Sequence, residues 1–107
     1  MIELDPGASM ADYQRYICAL ETQKGWLDVD LVHNCFLMGE EVGELFKAVR
    51  KYEKLFVEDG DTGDTTEIAH EIVDVLNYLL AIANRLDIDV EAAFRDKNAH
   101  NQGRTWS

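Results

Sequence analysis

Glu40-Glu41-Val42-Gly43-Glu44, and beyond residues 45–70 the segment Glu71-Ile72-Val73-Asp74, decide how this chain folds and what it holds. Both segments carry a helical pattern, and carboxylates three residues apart share one face of a helix. Glu41 with Glu44 and Glu71 with Asp74 are two such pairs. Four carboxylates converging from two helices repel one another. A hard divalent cation relieves that repulsion best, because it takes oxygen ligands and is commonly shared between carboxylates and phosphate oxygens. The spacing therefore points to Mg²⁺, with Mn²⁺ as the alternative, and to a phosphate ester bound beside it.

Working outward, apolar residues recur in steps of three and four on both sides of the acids, the period of an α-helix. Leu31, Cys35, Met38, Val42, Leu45 and Val49 form one such stripe, and Asp30 caps it, so the pattern predicts a helix from Leu31 to about Leu55. Asp59-Gly60-Asp61-Thr62-Gly63-Asp64 is a polar connection. Asp64 then caps a helix running to about Leu86, with Glu67 at the capping-box position. Ser9 with Asp12 starts an earlier helix, Met10 to Glu21, through Tyr13, Tyr16, Ile17 and Leu20. After the break at Asp87-Ile88-Asp89, Val90 to Lys97 makes a fourth. No strand alternation, repeat or low-complexity segment interrupts the series. The expected fold is all-α, four helices in one domain over residues 1–107, with a core of about 9–97 and a polar tail over 98–107 that orders on binding.

The third helix is apolar on two sides. Ile68, Ile72, Val75, Leu76, Leu79, Ile82, Ala83 and Leu86 take one broad side, while Val73 and Leu80 face away. A helix apolar on both sides is buried on both sides. A chain of 107 residues can hardly surround it alone, so the pattern predicts a homodimer or homotetramer built as a bundle.

The formal charge of −11 argues against a DNA or RNA backbone binder, which needs a basic surface, and against an anionic membrane face. No apolar run approaches the roughly 20 residues of a membrane span. Met1 to Gly7 lacks the basic start and apolar core of a signal peptide. Cys18 and Cys35 have neither metal-ligand spacing nor a C-x-x-C arrangement. They read as two reduced, largely buried thiols, and the chain as cytoplasmic.

Glutamates on a helix usually form a solvated face, but angular position argues otherwise here. At roughly 100° per residue, Glu41 and Glu44 share a sector with Leu37, Ala48 and Leu55, at the edge of apolar surface. Glu40 falls instead with His33, Lys47 and Lys51. On the third helix, Glu67, Glu71, Asp74, Tyr78, Ala81 and Arg85 form the one polar stripe. Part-buried carboxylates need compensation, and Arg85 lies more than three turns from Glu71, too far to supply it.

These residues resemble the all-α nucleoside triphosphate pyrophosphohydrolases, the MazG-like group that includes dimeric dUTPases and dCTP pyrophosphatases. Their motif is E-E-x-x-E, a spacer, then E-x-x-D, matched by Glu40, Glu41, Glu44, Glu71 and Asp74. Lys97-x-x-x-Asn101-x-x-Arg104 is similar to the group's C-terminal K-x-x-x-N-x-x-R segment, and Tyr78 matches an aromatic position of some members. The likeness runs from about Tyr13 to Trp106. Between Trp26 and His33 no arginine stands where some dCTP-type members have one, which leaves the base open.

The resemblance implies Mg²⁺-dependent hydrolysis of a (deoxy)nucleoside triphosphate to the monophosphate and pyrophosphate, in house-cleaning of the nucleotide pool. It casts Glu41, Glu44, Glu71 and Asp74 as metal ligands and Glu40 as catalytic base or orienter. Lys97, Asn101 and Arg104 would take phosphate oxygens, and Tyr78 and Trp26 the nucleobase. The alternatives are a phosphoribosyl-ATP pyrophosphohydrolase, which shares the acid pattern, and a non-catalytic helical module that binds nucleotide or a protein partner.

Overall fold

The computed structural model describes residues 1–58, 60 and 63–105. Asp59, Asp61 and Thr62 of the polar connection, and Trp106 at the end of the tail, lie outside the described residues. The described chain is all-α: α1 (Met10–Lys24), α2 (Leu31–Tyr52), α3 (Thr65–Arg85) and α4 (Val90–Gln102), with no strand among the described residues.

The helix starts follow local chemistry. Ser9 and Asp12 close a reciprocal capping box, the Asp12 N–H donating to Ser9 Oγ at 3.2 Å and the Ser9 N–H to Asp12 Oδ2 at 3.1 Å. Asp30, Asp64 and Asp89 accept from the N–H groups of His33, Glu67 and Ala92 at 2.8, 2.9 and 3.1 Å. α1 stops where Gly25 turns left-handed at φ 74°, a conformation that costs glycine little.

Two ends differ from the sequence expectation. α2 stops at Tyr52 rather than Leu55, because Lys54 and Phe56 adopt φ of 58° and 52° and the Arg50 guanidinium draws in the carbonyls of Leu55 and Phe56. Gly63 then passes so close to the end of α2 that a Cβ there would lie 2.7 Å from the Tyr52 nitrogen, so only glycine fits. α4 continues past Lys97 to Gln102, and the first part of the expected tail is helix. Side-chain bonds from Asn98 to the Phe94 carbonyl and from Asn101 to Asn98 accompany the added turn.

The chain forms two compact units. One joins residues 1–28 to 80–107, and α1 packs on α4 within it. Gln14 is its central polar group: Nε2 donates to Asn84 Oδ1 and the Ile88 carbonyl, Oε1 accepts from the Val90 N–H, and Asn84 Nδ2 returns a bond to the Gln14 carbonyl. One side chain thereby fixes the bend between α3 and α4. Beside it, buried Glu21 pairs with Arg85 at 2.8 Å, and Arg85 also donates to the Trp26 carbonyl.

The other unit, 29–79, holds α2 and α3 as far as Leu79. Asn34 is buried on α2, its amide donating to the carbonyls of Val29 and Asp30. Lys51 meets Glu67 at 3.5 Å across the two helices.

Three burial expectations need correction. Cys18 and Cys35 are exposed, not buried, because the helix faces that carry them are left uncovered. Leu80, expected to face outward toward another subunit, is 2% exposed within the single chain. Val73 of the same expected side is half exposed, since it stands a full two turns earlier on α3.

Replacing Gln14 with Leu strands Asn84 Oδ1, the Ile88 carbonyl and the Val90 N–H together, while Asn84 Nδ2 keeps the main-chain carbonyl at position 14. The expected loss is about 2–3 kcal/mol of stability, read from denaturant unfolding, whereas the exposed control Gln23→Leu should change little.

Candidate metal centre

Within the unit of residues 29–79, Glu41 descends from α2 and Glu71 and Asp74 from successive turns of α3. The i, i+3 spacing of the last two puts both carboxylates on one face. One carboxylate oxygen from each of Glu41, Glu71 and Asp74 lies within 4.8 Å of the others, and all three residues are partly buried.

Their electrostatics record the crowding. The Glu41 carboxyl is held above its ordinary range, first by desolvation, then by a hydrogen bond with Glu71 and the negative charge of Asp74, Glu71 and Glu44. Tyr78, one turn beyond Asp74, has its phenol pushed up by burial and then by the charges of Glu41, Asp74 and Glu40. Glu71 Oε2 is buried and has no hydrogen-bond partner. A buried, unpartnered oxygen on a carboxylate grouped with two others is costly unless something positive meets it. The donor set, all hard oxygen at separations a six-coordinate ion can bridge, fits Mg²⁺ or Mn²⁺.

The other residues singled out from the sequence stand as follows. Glu44, expected with the ligands, is exposed and outside the three-carboxylate group, although its charge is felt at Glu41. A further turn along α2 carries it past the part-buried edge at Glu41. Glu40 is exposed, about 100° around α2 from Glu41. Tyr78 is partly buried and electrically coupled to the acids.

Trp26, Lys97, Asn101 and Arg104 belong to the other unit. Trp26 is half exposed, with its carbonyl anchored by Arg85. Lys97 and Asn101 stand one turn apart on α4, Lys97 exposed and Asn101 bonded to Asn98. Arg104 is exposed just past the helix end, its N–H on the Asn101 carbonyl.

The sequence reading missed Gln14, Asn34 and Glu21, three polar side chains that organise the helix ends. A signal existed for two of them: Asn34 lies in register with Leu31, Met38 and Leu45, and Glu21 follows Ile17 by four, so each polar residue interrupts an apolar stripe.

No helix among the described residues is long and apolar enough to cross a membrane. No curated protein matches the chain. The family profile described as MazG nucleotide pyrophosphohydrolase domain matches residues 34–105, from buried Asn34 through every carboxylate of the cluster to Arg104. On that match over most of its length, the chain belongs to the MazG nucleotide pyrophosphohydrolase family.

Proposed function

We propose that the chain hydrolyses a (deoxy)nucleoside triphosphate between its α- and β-phosphates, releasing the monophosphate and pyrophosphate as a house-cleaning activity on the nucleotide pool. The observation that carries this reading is the unsatisfied Glu71 Oε2 inside a three-carboxylate cluster on a chain of this family.

Glu41, Glu71 and Asp74 would hold Mg²⁺, and Glu44, one turn along α2, would join them through a rotamer change or a water. The bound ion would supply Lewis-acid neutralisation of phosphate charge. Glu40 would take the proton of the attacking water or orient it, its carboxylate being exposed and so able to receive a proton. Water oxygen would bond to the α-phosphorus as the bond to the bridging oxygen breaks, and pyrophosphate would leave with that electron pair. Lys97 and Arg104 would meet phosphate oxygens, Asn101 would add a neutral hydrogen bond, and Tyr78 and Trp26 would stack on the base. We take the acting form to be a homo-oligomer, because Ile72, Val73 and Leu79 of α3 stay about half exposed in one chain.

Pyrophosphate release from a panel of nucleoside triphosphates should require Mg²⁺ or Mn²⁺. Absence of release from every standard and modified triphosphate, with the metal bound, would leave a binding module instead. Glu41→Gln should lower the rate by more than the roughly 10–100-fold typical of a ligand's outer partners. The same variant should melt higher than the parent without metal, because the repulsion is gone.

The raised Glu41 pKa gives a pH signature with a definite sign. The folded chain binds more protons than the unfolded one just above pH 4.5, so metal-free stability contributed by this group falls as pH rises through that window. Millimolar Mg²⁺ should raise the melting temperature, more at about pH 7.5 than at about pH 5, since protons compete for the same oxygens. Equal shifts at both pH values, or none, would count against the ligand assignment.

A further inference from the structure

The first helix runs out in Glu21-Thr22-Gln23-Lys24-Gly25-Trp26. The Gly25 N–H donates to the Thr22 carbonyl at 3.3 Å and the Trp26 N–H to the Glu21 carbonyl at 2.8 Å. In this type of cap the residue after the left-handed glycine frequently folds its side chain onto an apolar residue five positions earlier. Here the earlier residue is an acid, and the indole of Trp26 stays 50% exposed.

The acid is engaged elsewhere. Glu21 is 6% exposed, and its two carboxylate oxygens accept from the two terminal nitrogens of Arg85, Oε2 from Nη2 at 2.8 Å and Oε1 from Nη1 at 3.2 Å. Each nitrogen also reaches a main-chain carbonyl: Nη1 that of Ala81 at 3.2 Å, and Nη2 that of Trp26 at 3.1 Å. Both main-chain groups of Trp26 are thereby held, the N–H by the Glu21 carbonyl and the carbonyl by Arg85, while the side chain meets solvent.

Stability alone is a poor reason for this fork. Replacing a buried ion pair by apolar residues of similar volume is often neutral or stabilising, so a leucine and a methionine would join α1 to α3 as well. No apolar pair can grip the Trp26 carbonyl. A lysine cannot do so while it serves Glu21, because it carries a point charge in place of a planar fork. An aromatic ring whose backbone is already fixed loses little freedom when a ligand arrives.

We infer that Glu21 and Arg85 are positioning residues for nucleotide binding: their fork sets the Trp26 backbone, and with it the indole that stacks on the base. The inference rests on the base-stacking reading of Trp26 above and adds the two residues that set its geometry. Arg85 closes α3, the helix that also carries Glu71 and Asp74, so the Trp26 carbonyl is tied to the same element as two of the proposed metal ligands.

Binding in Mg²⁺ is read with two probes: the α,β-methylene analogues of the panel triphosphates, which are not cleaved, and inorganic tripolyphosphate, which has the phosphates but no base. Trp26→Ala should weaken the analogues roughly 5- to 150-fold, the range of base–aromatic stacking, and leave tripolyphosphate unchanged. Glu21→Leu with Arg85→Met should keep the parent melting temperature and still weaken the analogues at least about threefold, through lost preorganisation, without effect on tripolyphosphate. Arg85→Lys, which leaves a charge beside Glu21, should do the same and carries the test if the apolar pair does not fold. Both variants should raise KM without a matching fall in kcat. With Trp106→Phe, Trp26 is the one remaining tryptophan, and its fluorescence anisotropy should drop in both variants. A folded fork variant with the parent's affinity for the analogues, or one that loses tripolyphosphate to the same degree, overturns the positioning role and leaves base stacking standing. Parent affinity in Trp26→Ala overturns base stacking and the inference together.

Discussion

Mutual repulsion of Glu41, Glu71 and Asp74 is the constraint around which the 29–79 unit is organised. Three carboxylates gathered at a part-buried point cannot all ionise cheaply, and the chain holds them there through rigid helix rather than loop. Two features keep α2 and α3 at the spacing the cluster needs. The Lys51–Glu67 pair joins the helices near their linked ends, and Gly63 lets the chain re-enter against the Tyr52 backbone. The cost of the crowded acids is visible as a Glu41 carboxyl held above its ordinary range and an oxygen of Glu71 left without a partner. A bound cation would release energy stored in this way, and the chain belongs to a family of nucleotide pyrophosphohydrolases, where such an arrangement would have a use.

Much of this was legible in the sequence because it is written in local spacing. Aspartate or serine ahead of an apolar period announced the helix starts, and Ser9–Asp12, Asp30 and Asp64 all act as caps. Acids three apart announced a shared face. Glu44 was harder, since sector angles place it beside Glu41 but do not say how far up α2 the other helix reaches. The early end of α2 was invisible for a similar reason: Leu55 continues the apolar register, and the helix ends through the left-handed turn at Lys54 and the Arg50 guanidinium that folds the next carbonyls back.

Burial was the least legible property. Cys18 and Cys35 look like core residues by type, and Leu80 looks like an interface residue by sector, yet the first two are exposed and the third is enclosed. Periodicity says which residues share a face but not which faces find cover within one chain. Polar organisers hide for the same reason. Nothing about Gln14 in isolation marks it, because its partners Asn84, Ile88 and Val90 lie at the far end of the sequence.

That glutamine has a consequence for anyone recombining this protein. Exchange of the α4 segment with a homologue's would look modular on paper, cut at the short break near Asp87. The graft would nonetheless arrive without its counterpart on the first helix, so position 14 must travel with any transplanted C-terminal helix if the chimera is to keep its bend.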